Sequence, residues 1–321
     1  MLAGYITANT SDLALVNVID GNLRLENRET FTNKDFSDFE SILRLYLKNS
    51  KKSFRHACFG VAGPVIRDCV ATTNLPWKLS CAQLQEQFEL TRVRLVNDLV
   101  ACAQGALELP PDKFYTINEG IHFPNGNMGM LAAGTGLGEA LMFNDGNRYL
   151  PYASEGGHAD FAPTNQIESE LRDYLFGRLG RVEAEDVVSL SGIENIYCFL
   201  SELNNVPPAH WYKKASERSS AIIEQGLSGE DELAVQTLDL FIDCYASEAA
   251  NLALKGMTLG GIRLGGLIAP QIITALDKGR FMERFAKGGK MEGLLSRIPV
   301  QLIIDDKTAL LGAASLARQM R

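Results

Sequence analysis

No stretch of this chain approaches the ~20 consecutive apolar residues that a membrane-spanning helix needs. Its first residues, MLAGYITANTSDLALVNV, contain neither a basic leader nor a long apolar core, so the sequence predicts no signal peptide and a cytoplasmic protein. Positive charge is in deficit, with 31 Lys and Arg against 39 Asp and Glu and a net charge of −8. Binding to nucleic acid or an anionic membrane surface draws on clustered positive charge, so neither is an expected partner. A local site for a small anion is not excluded. Histidine is scarce: of the 4 (His56, His122, His158, His210), none lies at metal-ligand spacing from His158. The 6 cysteines (Cys58, Cys69, Cys81, Cys102, Cys198, Cys244) form no CxxC pair. They are expected to be small buried hydrophobes in a reducing compartment.

What is present suits a folded α/β protein. The 321 residues correspond to roughly two domains, and 46% hydrophobic with 22% charged residues is ordinary globular composition. Residues 2–5, 13–19 and 23–25 are apolar runs joined by a polar turn at 7–12 and by Asp20-Gly21-Asn22, a hairpin signal. Phe39, Ile42, Leu43 and Tyr46 have helical spacing. Strands follow at 57–62 and 93–96, and Asn97-Asp98 opens a helix. Leu109-Pro110-Pro111-Asp112 marks a domain boundary. Beyond it come strands at 128–133 and 139–143 around a glycine turn, largely helical sequence over 166–254 with breaks near 206–208 and 228–229, strands at 260–266 and 300–304, and a closing helix over 309–318. The strand–turn–strand unit after the boundary echoes the one at the N-terminus, which suggests two related α/β halves. The expected division is 1–109 plus 299–321 for a small domain and 110–298 for a large one.

Four features can carry chemistry. Gly134-Thr135-Gly136-Leu137-Gly138 is a turn whose N–H groups can converge on an anion, although a hairpin without a ligand accounts for it equally. Asn97-Asp98 follows a buried strand, where open α/β sheets place ligands. A carboxylate there can take a proton from a hydroxyl, and a helix N-cap is the competing role. In Glu155-Gly156-Gly157-His158-Ala159-Asp160-Phe161, an acid and an imidazole flank glycines that permit close approach to a polyhydroxylated ligand. Gly265-Gly266 ends an apolar strand, where either a flat nucleoside or close strand packing would favour glycine.

The order of these features, with Thr73-Asn74 and Trp77, Glu185 and Leu311-Gly312-Ala313, resembles the bacterial glucokinase family of actin-like sugar kinases over nearly the whole chain. EGGHxDFAP, at residues 155–163, is the most specific element. The resemblance implies two actin-like (ribonuclease H-like) α/β domains with mixed sheets flanking an interdomain cleft, and a reaction in which ATP, with Mg2+, phosphorylates the 6-hydroxyl of glucose. It implies Asp98 as catalytic base, and Asn97, Glu155, His158 and Glu185 as ligands of the other hydroxyls. Gly134, Thr135 and Gly136 would be the second phosphate turn, and Gly265 and Gly266 the adenosine contacts. No structural zinc is implied, because the cysteine-rich motif of related repressors and kinases is absent. Homodimers are common in the families that this chain resembles.

One segment departs from the pattern. Where the family reads aspartate, any residue, glycine, glycine, threonine, asparagine, this chain has Tyr5-Ile6-Thr7-Ala8-Asn9-Thr10. Thr7, Asn9 and Thr10 hold the cofactor-binding positions of that first phosphate loop, but the aspartate that helps to hold magnesium is a tyrosine. A register pairing Asn9-Thr10 with the family's threonine-asparagine does not restore the acid. Two functions are therefore expected: a hexose kinase, or a sugar-binding regulatory or sensor homologue with impaired or absent kinase activity.

Overall fold

The computed structural model describes residues 1–50, 54–72, 75–287 and 289–320; Thr73 and Asn74 lie outside the described residues. The chain divides into two units: Met1–Lys113, Leu150–Ala153 and Asp305–Arg321, and Phe114–Tyr149 with Ser154–Ile304.

The first unit carries strands β1 (Leu2–Ile6), β2 (Thr10–Ile19), β3 (Asn22–Thr32), β4 (His56–Val61), β5 (Val65–Ile66), β6 (Cys69–Ala71), β7 (Lys78–Ser80) and β8 (Arg92–Asn97). Its main sheet has the order β3-β2-β1-β4-β8, antiparallel from β3 to β1 and parallel from β1 to β8. The β2–β3 hairpin turns at Asp20 and Gly21, both at positive φ (52° and 81°), as a primed two-residue turn requires. Helix α1 (Phe39–Ser50) starts where Asp38 accepts the Ser41 N–H at 2.8 Å and buries Phe39, Ile42, Leu43 and Tyr46. With the short α2 (Cys81–Gln87) it covers the face that receives Leu2 and Ile6. The opposite face takes Ala3 and Tyr5, as strand alternation dictates, and packs against α3 (Asp98–Ala106) and the C-terminal helix.

The second unit contains β9 (Phe114–Asn118), β10 (Met128–Ala133), β11 (Leu137–Asn144), β13 (Gly261–Gly266) and β14 (Val300–Ile303); β12 is Tyr149–Ser154. The sheet order is β12-β11-β10-β13-β14-β9. Antiparallel β11-β10 followed by parallel β10-β13-β14 repeats the antiparallel-then-parallel plan of the first sheet. Thus the internal echo is real at the level of topology. The corresponding turns begin at Thr7 after β1 and at Gly134 after β10.

Helices α4 (Gln166–Leu179), α5 (Leu190–Leu203), α6 (His210–Lys214), α7 (Arg218–Ser228) and α8 (Glu232–Gly256) pack on this sheet, with the shorter α9 (Ile273–Leu276), α10 (Arg280–Ala286) and α11 (Glu292–Leu295). Asn165, Ser189 and Asp231 cap α4, α5 and α8 through their side chains, and Gly180 and Gly229 end α4 and α7 in the left-handed region. Helix α12 (Thr308–Arg318) closes the first unit.

Three expectations need correction. Residues 300–303 form β14, hydrogen-bonded between β13 and β9, so the last strand belongs to the second unit and only the closing helix returns to the first. The polar segment 7–12 is a turn only through Asn9, because Thr10, Ser11 and Asp12 already pair with β1 or β3. Cys69 is exposed, on the short strand β6, while Cys102 and Cys198 are half-buried. Only Cys58, Cys81 and Cys244 are fully buried.

Candidate functional site

In the second unit the glycines of EGGH are set by packing against β11. A side chain at Gly157 would run into the Leu137 carbonyl, and one at Gly156 into the Glu139 carboxylate. These contacts hold Glu155 and His158 beside the β10–β11 turn. The following residues are tied down by the Ala184 N–H to Ala159 O bond (2.9 Å) and the Phe161 N–H to Val182 O bond (2.9 Å). That pairing delivers the short 3-10 turn Ala184–Asp186 to the same place. Glu185 then accepts the Leu137 N–H at 2.7 Å and lies against Gly136, where any side chain would displace it.

His158 is held by Glu183, with Nδ1 and Oε2 2.6 Å apart. Glu183 lies 3.4 Å from Arg181, which also pairs with Asp160. The Glu183 bond is the largest cause of a His158 pKa above its ordinary value; desolvation, next in weight, opposes it, and the charges of Glu185, Glu183 and Glu155 add smaller upward contributions. With Nδ1 occupied, Nε2 is the ring atom left to donate to or accept from a ligand hydroxyl. Glu155 and His158 are exposed and Glu185 is half-buried. Three of the expected sugar ligands are therefore gathered on one unit. Glu183, which orients the imidazole, was not singled out from sequence; it lies two residues before Glu185 and has no motif of its own.

The β10–β11 turn is closed by the Gly134 N–H donating to Gly136 O at 2.8 Å, with Gly134 buried and Thr135 exposed at its tip. Gly266 sits at φ +86°, and a side chain there would overlap the Ala133 backbone; Gly265 packs on Met130. Close strand packing thus explains the Gly265-Gly266 pair by itself, and it leaves Gly266 exposed at the strand's end.

In the first unit, Asn97 and Asp98 stand half-buried where β8 passes into α3. Asn97 is the N-cap: its Oδ1 accepts the Leu99 N–H at 2.9 Å, and its amide donates to Gly63 O at 3.4 Å. The capping role is realised, and it fixes the backbone from which Asp98 projects. Asp98 Oδ1 accepts the same Leu99 N–H at 3.0 Å.

Tyr5, Thr7, Asn9 and Thr10 complete the set. The Tyr5 ring packs beside Gly60, and its hydroxyl hydrogen-bonds the Cys102 thiol, one helical turn beyond Asp98. Burial raises the Tyr5 pKa far above its ordinary value, with added repulsion from Cys102, Asp98 and Asp12, so the phenol is neutral. Burial likewise pushes the Cys102 thiol up to about 12. Asp12, the cross-strand partner of Tyr5, is engaged by Arg28 at 2.8 Å and by Thr30. A neutral phenol donating to a thiol cannot replace a carboxylate beside a divalent cation. Among the described residues no three His, Cys, Asp or Glu side chains are grouped as a metal site. The donor set at this position does not fit the magnesium ion that the resemblance implies.

The turn itself is closed on its own side chain. Thr7 Oγ1 accepts the N–H groups of Asn9 (3.2 Å) and Thr10 (3.0 Å) and donates to Thr10 O (3.0 Å). Buried Asn33 staples it from β3's far end, donating its amide to Thr7 O (2.9 Å), accepting from Ser11 Oγ (2.7 Å), and giving its backbone N–H to Asn9 O (2.8 Å).

Comparison with known proteins identifies relatives over the whole chain. The glucokinase family model matches residues 2–320. A glucokinase of Nostoc sp. is 34% identical over 340 residues, covering 100% of this chain and 99% of that protein. Among solved structures, a glucokinase from an Antarctic psychrotroph superposes with a TM-score of 0.86 at 28% identity, with 99% of each chain covered. A ROK family glucokinase from Streptomyces griseus, in complex with glucose and AMPPNP, shares the fold with a TM-score of 0.69 at 16% identity and 99% coverage of each chain.

Proposed function

The chain belongs to the glucokinase family, and from that premise we propose that it is a hexose kinase that transfers the γ-phosphoryl group of ATP to the 6-hydroxyl of glucose. The observation that carries the proposal is the convergence of Glu155, His158 and Glu185 beside the Gly134–Gly136 turn. Such groups are suited to a polyhydroxylated ligand, because the carboxylates can accept hydrogen bonds from its hydroxyls and the His158 Nε2 can accept or donate one. Glu183 keeps the His158 ring oriented for that contact. Asn97 supplies a further amide, and its cap on α3 sets the direction of Asp98.

In this reading Asp98 is the catalytic base. The sugar O6 attacks the γ-phosphorus, the O6–P bond forms as the bond to the β,γ-bridging oxygen breaks, and the O6 proton passes to Asp98 while ADP leaves. Phosphoryl transfer depends chiefly on positioning and charge stabilisation. The residues holding hydroxyls therefore contribute to rate as well as affinity. A site that pairs hydroxyls also discriminates against analogues lacking them, since its own polar groups would be left unpartnered. Gly134, Thr135 and Gly136 are assigned to the nucleotide phosphates and Gly265 and Gly266 to the adenosine. Glucose as the preferred hexose, a homodimeric state and a cytoplasmic location belong to the same proposal. Among the described residues no helix is long and apolar enough to cross a membrane.

Phosphorus NMR of the protein with ATP and glucose tests the reading. Equal amounts of ADP and a sugar phosphomonoester should grow in together. ATP loss without the phosphomonoester would contradict it.

A further inference from the structure

The two hairpin turns that follow β1 and β10 occupy matching places in the two sheets, yet they dispose of their amides differently. After β10 the tip residue Thr135 is exposed between two glycines. After β1 a hydroxyl sits inside the turn: Thr7 Oγ1 takes the N–H groups of both Asn9 and Thr10. This is the local side-chain capping by which threonine imitates an anion at a turn. The donors that an exposed turn would offer to phosphate oxygen are spent within the chain, and Asn33 anchors the turn in that form through Thr7 O and Asn9 O. Beside it, Tyr5 presents a phenol bonded to Cys102 and no carboxylate.

We infer that the Thr7 hydroxyl closes the β1–β2 turn to nucleotide phosphate, so that the first unit withholds a phosphate cradle and the phosphoryl donor is the weakly held substrate. The inference rests on the kinase reading above only in naming a nucleoside phosphate as the excluded ligand. It makes Thr7 a determinant of donor affinity that acts by occupying amides, and it separates the sugar side of the site from the donor side. A hydrogen-bond donor freed to a charged oxygen is worth about tenfold in affinity or more. Removal of one hydroxyl should therefore be visible in nucleotide binding alone.

The test is calorimetric titration of ADP into the full-length protein and its Thr7→Ala and Thr7→Ser variants. Alanine removes the acceptor and serine keeps it. ADP should bind Thr7→Ala about tenfold more tightly than the parent, while Thr7→Ser stays within about twofold of the parent. Equal ADP affinity in the alanine variant and the parent would overturn the inference, as would an equal gain in the serine variant. Should the alanine variant fold poorly, amide resonances of the parent supply the answer: those of Asn9 and Thr10 should not move on addition of ADP, and a saturable shift of either would overturn the inference. Since ADP binding is read without turnover, failure of this inference and failure of the kinase reading register in different measurements.

Discussion

Glu185 accepts the backbone N–H of Leu137 at 2.7 Å, which places the side chain assigned to a sugar hydroxyl directly against the glycine turn assigned to phosphate. One residue thereby ties the sugar side and the β10–β11 turn together within a single unit. Glu185→Gln preserves shape but exchanges a charged acceptor for a neutral one. Glucose affinity should fall about tenfold to a hundredfold, the range expected for a hydrogen bond to a charged group. Calorimetry with glucose alone reads this directly, and an unchanged affinity would remove Glu185 from the sugar set.

Asp98→Asn isolates proton transfer from binding. Asparagine retains the side chain's place at the start of α3 but cannot take the O6 proton. The expected result is a fall in kcat of about a hundredfold to ten-thousandfold, with glucose affinity changed by less than about fivefold. Steady-state kinetics together with glucose titration separates the two. Loss of affinity with kcat retained would make Asp98 a sugar ligand only.

A buried acid pair behind the sugar loop should give the protein a pH-dependent stability. Glu139 of β11 is buried under Gly156, and its carboxyl faces that of Glu248 on α8. Asn251 donates to Glu248 at 3.1 Å, and Lys255 lies 3.9 Å from it. Desolvation first, then repulsion from Glu248, raises the Glu139 pKa from 4.5 to about 7, against the opposing pull of Lys255. The folded state therefore holds this proton more tightly than the unfolded state. Stability is highest below the unfolded value and declines as pH rises through about 7, by about 3 kcal/mol in all. Glu139→Gln keeps the volume and abolishes the titration. Its melting temperature should change less between pH 5 and 8 than the parent's, as calorimetric scans would show. Identical slopes in the two proteins would contradict the assignment.

Gly105 and Gly312 allow α3 and α12 to approach closely on the alanine-rich face of the first sheet. A side chain at Gly105 would overlap the Thr308 carbonyl, and one at Gly312 the Ala101 carbonyl. Gly312→Ala should destabilise the protein by about 2–3 kcal/mol as overpacking, although alanine is the better helix former. Urea unfolding measures it. A neutral or stabilising change would mean that the two helices adjust without cost.

Much of this organisation was legible in the sequence because it rests on local patterns. Phe39, Ile42, Leu43 and Tyr46 showed α1, Asp20-Gly21 the hairpin, and EGGH with Asn97-Asp98 the chemistry. What escaped notice depends on partners distant in sequence. Residues 114–118 become β9 because β14 pairs with them, and 300–303 join the second sheet for the same reason. Glu183 and Asn33 have no motif; they matter through His158 and Thr7, which lie 25 and 26 positions away. The loss of the aspartate and glycines at Tyr5, Thr7 and Ala8 was plain in the sequence. That the Thr7 hydroxyl would take up the turn's own amides was not, since that depends on the turn's conformation.

This member of the glucokinase family is expected to transfer phosphoryl groups to glucose despite a first turn closed to phosphate. A coupled assay for glucose 6-phosphate at saturating glucose, with ATP and magnesium ion titrated together, tests it most directly. Turnover should appear, with half-saturation at high nucleotide and low glucose concentration. Tight glucose binding with no glucose 6-phosphate at any nucleotide concentration would contradict it.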